Sequence, residues 1–146
     1  MIRPWKIEDK TQYIELMKLF IDERMGEFGI EFDYQEAERQ FDLLFNNSEI
    51  ITLVAEKGGH LYGSIAGVIG PLLFSKNKVM QEMVWYVRKE FRGLSIGIKL
   101  IRAFEAKAKE LGCDKIMMIG MGCDNSNEFY IKDGYQLLQQ SYLKEI

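Results

Sequence analysis

The chain is poor in the residues that most often build metal and relay sites. Its 146 residues include one histidine, His60, and two cysteines, Cys113 and Cys123. A zinc site draws its ligands chiefly from Cys and His, so this inventory argues against one, and no metal is expected. A serine-hydrolase relay would have to use His60, which follows Gly58-Gly59 in a "KGGH" turn, a poor setting for a catalytic base. No apolar run reaches the length a membrane span needs. The opening "MIRPWKIEDK" lacks the apolar core of a secretion signal. The expected compartment is therefore the cytoplasm, with both cysteines as reduced thiols and no membrane partner. An excess of basic residues is also missing. The net charge of −3 argues against a nucleic-acid-binding surface.

What is present is an ordinary globular balance, 47% apolar and 28% charged, without repeats, low-complexity tracts or a linker. The length suits a single domain over residues 1–146 that can bury a sizeable core. "MIRPW" reads as a short strand. Asp9 with Gln12 has the spacing of a capping box, and Tyr13, Leu16, Met17 and Phe20 share one helical face. Gly26 and Gly29 end that helix. Asp33 with Glu36 opens a second, carrying Ala37, Phe41, Leu44 and Phe45. "EIITLVAE" (49–56) and the small-residue stretch "LYGSIAGVIG" (61–70) predict a hairpin, and "KVMQEMVWYV" (78–87) a third strand. A helix is expected from about Ser95 to Leu111, with Gly112 just past its end. "DKIMMIG" has the near-continuous apolarity of a buried parallel strand. Asn125 with Glu128 predicts a last short helix closed by Gly134, and "YQLLQQSYLKEI" predicts a final extended segment. The order β-α-α-β-β-β-α-β-α-β is mixed α/β, with a right-handed crossover between the strands at Met80 and Ile119.

One stretch stands apart. "RGLSIG", residues 92–97, lies between a strand and a helix. A helix N-terminus exposes free N–H groups at the positive end of its dipole, and small residues let an anion approach them. The same stretch is also what a plain strand-to-helix turn would need for its backbone angles. It is not a P-loop, because no Gly-Lys-Ser/Thr closes it. Nor is it a dinucleotide fingerprint, because the third glycine and the regular βαβ setting are missing.

A second stretch, "EFYIKDGY" (128–135), puts an aromatic pair on a short helix ending in Gly-Tyr. Arg92-Gly93-Leu94-Ser95-Ile96-Gly97 resembles the Arg-Gly-x-Gly-Ile-Gly signature of the GNAT acetyltransferase superfamily. Phe129-Tyr130-Ile131-Lys132-Asp133-Gly134-Tyr135 resembles its later Phe-Tyr-x-x-x-Gly-Phe/Tyr motif. The two are separated by a helix and an apolar strand, as in that superfamily, and the element order matches over essentially the whole chain. Two positions depart from the pattern. Ser95 stands where the middle glycine is usual, and Cys123 stands where an asparagine is common seven residues before the tyrosine.

The resemblance implies a GNAT acyl-CoA N-acyltransferase fold: a mostly antiparallel central sheet with one parallel βαβ crossover and helices on both faces. It implies an N-acetyltransferase that moves an acetyl group from acetyl-CoA to a primary amine of a small molecule or peptide by direct attack. The alternative is a non-catalytic acyl-CoA-binding module of the same fold. A homodimer is a candidate assembly. The pyrophosphate would sit on the N–H groups of Arg92, Gly93, Leu94, Ser95, Ile96 and Gly97, and Asn125 or Asn127 would replace the missing asparagine on the pantetheine arm. Strand 78–87 would supply an oxyanion donor at a β-bulge near Tyr86 or Val87. Tyr130 would protonate the leaving thiolate, although a core tyrosine reads the same. Glu82, the one carboxylate in that strand, would serve as base if buried, and would be idle if it faces solvent. The segment 24–33 is the expected rim. Glu23 just before it and Glu27, Glu31 and Asp33 within it would attract a cationic amine, or form only a solvated acidic loop. Phe28, Phe32 and Trp85 are candidates to line a pocket or to fill the core.

Overall fold

The computed structural model describes residues 1–120 and 126–146. Among the described residues nine α-helices and β-strands follow one another. They are β1 (Ile2–Pro4), α1 (Lys10–Arg24), α2 (Tyr34–Phe45), β2 (Ile50–Lys57), β3 (His60–Pro71), β4 (Lys78–Val87), α3 (Ile96–Glu110), β5 (Lys115–Met117) and α4 (Ser126–Lys132). The five strands form one sheet in the order β1-β2-β3-β4-β5. Neighbours are antiparallel except β4 and β5, which run parallel across the α3 crossover. This is the mixed architecture that the pattern of elements predicts.

Both sheet faces are covered. Leu53, Ile65, Met80, Leu100, Ile101 and Phe104 join the sheet to α3, and Tyr130 of α4 extends that cluster. On the opposite face Tyr13, Ile14, Phe41, Val54 and Leu61 form one cluster, and Leu16, Ala66, Val84 and Tyr86 form another, beneath α1 and α2. The small residues of β3 now have a reason. A Cβ at Gly67 would stand 2.6 Å from the Phe104 ring and 2.7 Å from the Gln81 carbonyl. Gly67 therefore lets α3 lie directly on the sheet.

Two local rules hold as read. Asp33 caps α2, accepting from the Glu36 N–H at 2.7 Å. Gly112 ends α3 with φ +76°, and the following Cys113 N–H returns to the Ala108 carbonyl at 2.9 Å.

Three expectations need correction. Asp9 does not cap α1 with its side chain. Its carboxylate is held by a bidentate pair with Arg3 (2.8 and 2.9 Å) and by the Lys6 N–H at 2.7 Å. Gln12 instead ties α1 to the β2–β3 turn through the Gly59 carbonyl and the Leu61 N–H. The predicted strand 114–120 is paired only over Lys115–Met117, because its register with β4 ends at Gln81–Met117. The final segment 136–146 forms no strand. Tyr135 is anchored by its N–H to the Tyr130 carbonyl and by its hydroxyl to Glu105. Beyond it Leu137, Leu138, Tyr142 and Leu143 are exposed. Their spacing, broken by Gln, Ser and Lys, gives no single apolar face to lay on the sheet.

Candidate active site

The junction between β4 and α3 is built on left-handed backbone. Gly93 has φ +85° and Ser95 has φ +60°. Ser95 is the N-cap of α3, with no hydrogen bond from its side chain to the helix. It therefore takes the conformation that glycine would, and its usual capping role is not used. Leu94 is exposed, and Ile96 packs onto the main core. By helix geometry the first N–H groups of α3 have no partner within the helix. Gly97 serves a different need. A Cβ there would meet the Trp85 ring at 3.2 Å. Trp85 lies beneath this turn, and its buried Nε1–H finds no acceptor among the described residues. Left-handed turns, open N–H groups and an unpaired indole donor suit a phosphorylated, amide-bearing ligand.

Arg92 opens the junction, and its side chain points back into the protein. Its Nε donates to the Val87 carbonyl at 2.8 Å. Its Nη1 and Nη2 donate to the two Glu23 oxygens at 2.6 and 2.8 Å. Tyr86 adds its hydroxyl to Glu23 at 2.7 Å. The Arg92 guanidinium, helped by the Tyr86 hydroxyl, holds the Glu23 carboxyl down to about 2, against the opposing effect of partial burial. The Tyr86 phenol is pushed up to about 12, mostly by burial.

The strand bulge lies elsewhere than expected. In the β3–β4 register Ala66 faces Val84 and Gly67 faces Glu82, so Met83 is the extra residue. The bulge exchanges the faces taken by even-numbered residues of β4. Met80 packs toward α3, while Val84 and Tyr86 pack toward α1. Tyr86 and Val87 lie three and four residues beyond it, so the disturbed backbone is at Met83.

Glu82, next to the bulge, is 4% exposed. Burial raises its carboxyl to about 7, and one hydrogen bond from the Ile119 N–H at 2.8 Å opposes that rise. Tyr130, also buried, donates to the Ile119 carbonyl at 3.3 Å. Its ring lies 6.0 Å from that of Trp85. Phe20, Arg24 and Met25 of the α1 end, with Glu82, Met83, Trp85, Ile119, Ser126 and Tyr130, enclose a pocket of about 60 Å³. A larger hollow of about 480 Å³ opens at the other end of β4, around Glu49, Pro71 and Lys78. It is remote from both motifs, and the smaller pocket holds the buried acid.

Of the residues singled out in the sequence, Glu82, Trp85 and Tyr130 converge on this pocket, and the 92–97 junction borders it through Trp85. Asn125 and Cys123 lie outside the described residues. Asn127 packs the end of its side chain on Gly120, where a Cβ would displace it. Among the rim acids, Glu23 is bound by Arg92 and Asp33 caps α2, while Glu27 and Glu31 are exposed. Phe28 is exposed, and Phe32 packs against the α1–α2 cluster. Arg24 and Met25 fall at the start of the segment read as the rim, whereas Ile119, Met83 and Phe20 had no signal in the sequence that marks them as site residues.

The family model described as "Acetyltransferase (GNAT) family" matches residues 13–135. Solved structures resemble the chain over their whole length. A transcriptional regulator from Bacillus halodurans superposes with a TM-score of 0.84 at 18% identity, covering 100% of this chain and 99% of its own. A GNAT family acetyltransferase from Staphylococcus aureus gives 0.75 at 18%, with 100% and 98% covered. A ribosomal-protein-alanine N-acetyltransferase from Brucella melitensis gives 0.76 at 18%, with 100% and 99% covered. At these identities the likeness is one of fold. No curated protein sequence matches the chain.

Proposed function

The chain belongs to the acetyltransferase (GNAT) family, and from that premise we propose that it moves an acetyl group from acetyl-CoA to a primary amine of a small molecule or peptide. The observation that carries the reading is a buried carboxyl, Glu82, beside a buried phenol, Tyr130, at the foot of a left-handed strand-to-helix junction.

The donor supplies a thioester carbonyl and a thiolate leaving group. The chain's residues do the rest. An amine entering from the Phe20–Met25 side meets Glu82, whose carboxyl, raised to about 7, is matched to taking a proton near neutral pH. The N–H groups freed from regular pairing at the Met83 bulge are the oxyanion donors on this reading. Tyr130 gives its hydroxyl proton to the departing thiolate. The junction from Arg92 to Gly97 cradles the pyrophosphate, with Ser95 keeping glycine's backbone shape.

The test is acetyl-CoA with a panel of amines, read by thiol release and by mass spectrometry of the products. The ribosomal-protein-alanine N-acetyltransferase among the structural neighbours is a reason to include peptide N-termini in the panel. Acetylated product supports the proposal. Tight acetyl-CoA binding without product from any amine would favour the non-catalytic binding module. No binding at all would overturn both.

A further inference from the structure

The Arg92–Glu23 pair joins parts of the chain 69 residues apart. Glu23 sits in the last turn of α1, and Arg92 is the residue on which the donor junction begins. The carboxylate gathers three donors from two elements: both terminal nitrogens of Arg92 and the Tyr86 hydroxyl. The guanidinium also lies over the Tyr86 ring, 5.3 Å from its centroid. With its Nε on the Val87 carbonyl, one arginine side chain spans α1, the end of β4 and the junction. The pair is partly sheltered, with the Glu23 side chain 17% exposed and that of Arg92 34%. Forked, charge-assisted bonds of this kind fix orientation as well as supplying energy.

The junction needs such a fixture. Directly after Arg92 come two left-handed residues within three positions, and no described residue packs where a Gly93 side chain would be. The direction of the N–H groups that follow depends on where the Arg92 backbone is held. We propose that Glu23 is a positioning residue for the acyl-donor junction: by gripping Arg92 it presets the N–H groups of residues 93–97 for the donor's pyrophosphate. The next residue, Arg24, lines the pocket that holds Glu82. The same helical turn therefore sets the donor junction and one wall of the acceptor pocket. The inference rests on the reading of the junction as the pyrophosphate site.

Calorimetry on the full chain with two donors tests it. Acetyl-CoA carries the pyrophosphate, and acetyl-pantetheine does not. Glu23→Gln keeps the size and removes the charge. It is expected to weaken acetyl-CoA binding about three- to ten-fold, the range for a partly sheltered ion pair, and to leave acetyl-pantetheine affinity unchanged. Arg92→Ala should give the same split, and the double variant should be no weaker than Arg92→Ala alone, because the two act as one unit. Should Glu23→Gln fail a thermal-melt check of folding, Glu23→Asp, with its charge kept and its reach shortened, takes its place with a smaller loss in the same direction. Equal loss for both donors, no loss for either, or additive losses in the double variant would overturn the inference while leaving the function standing. A wild-type chain that does not bind acetyl-CoA would overturn the reading of the junction and this inference with it.

Discussion

Glu82 and Tyr130 meet on a single residue. The Ile119 N–H donates to the Glu82 carboxylate at 2.8 Å, and the Ile119 carbonyl accepts the Tyr130 hydroxyl at 3.3 Å. One peptide segment just past β5 thus holds the candidate base and the candidate acid side by side. It does so where β4 and β5 part, after their last pair at Gln81–Met117, and where β4 bulges at Met83. The splay creates the space, and the two side chains fill its floor. On the proposed reading the carboxyl, raised by burial to about 7, accepts a proton near neutrality and the phenol donates one.

If Glu82 accepts the amine proton, Glu82→Gln keeps the shape and the bond from Ile119 while removing the basic oxygen. The rate at neutral pH is expected to fall by about a hundredfold or more. It should recover in part at high pH, where the amine deprotonates unaided. The wild-type kcat/KM should rise with pH through about 7, the value to which burial brings Glu82. That limb should be missing in the variant. A variant with the wild-type pH profile would leave water, or another acid, as the acceptor of the proton.

The same carboxyl bears on stability. Its folded value of about 7 stands above the ordinary 4.5. Below 4.5 both folded and unfolded chains hold the proton, and Glu82 costs nothing. Between the two values the unfolded chain releases the proton while the folded chain keeps it, so stability falls as pH rises. Above 7 the full cost stands, on the order of 3 kcal/mol. Glu82→Gln lacks this dependence. Urea melts across the range should therefore show the variant gaining on the wild type from pH 4.5 to just above 7. A constant difference across that range would rule out a raised carboxyl.

Tyr130→Phe removes one hydroxyl from a buried ring. The bond it gives to the Ile119 carbonyl is long, at 3.3 Å, so losing that bond should change the melting temperature little. The expected loss is in kcat, roughly ten- to a thousandfold, with acetyl-CoA affinity nearly intact. An unchanged kcat would return Tyr130 to a packing role among Trp85, Phe129 and Tyr135.

The reach of the sequence can be judged residue by residue. The α3 helix, its glycine stop and the β2–β3 hairpin were legible because periodicity and turn chemistry agree there. Tyr130 stood out as a motif residue and Glu82 as the one carboxylate of its strand, and the structure brings both to one pocket as candidates. The Met83 bulge was not legible, because "KVMQEMVWYV" is mostly apolar, with polar residues only at Lys78, Gln81 and Glu82, so it has no alternation whose phase could shift, and the extra residue exists only relative to β3. Ile119 contributes its backbone, which leaves no trace in side-chain identity. Asp9 matched a capping spacing, yet Arg3 bound it first, a tertiary contact overriding a local pattern. The acids at 23–33 looked like one electrostatic feature, but two of the four have structural partners.

The junction itself offers the last test, because its residues are small for different reasons. Ser95 is constrained by backbone shape, at φ +60°. A non-glycine residue there costs about 1–2 kcal/mol, and glycine's larger unfolded-state entropy offsets about 0.4–1 kcal/mol of the relief. Ser95→Gly should therefore hold or raise stability, by about 0–1.6 kcal/mol. Ser95→Val should lose stability, since a β-branched residue tolerates that region least. Gly97 is constrained by space, because its Cβ would press on Trp85 at 3.2 Å. Gly97→Val must displace either the ring or the first turn of α3, and both alter the N–H groups offered to a phosphate. Thermal melts paired with acetyl-CoA calorimetry separate the two causes. Ser95→Gly should bind the donor as well as wild type, and Gly97→Val should lose binding by far more than its melting temperature falls. If Gly97→Val binds acetyl-CoA as wild type does, the pyrophosphate lies away from this junction and the glycines serve the turn alone.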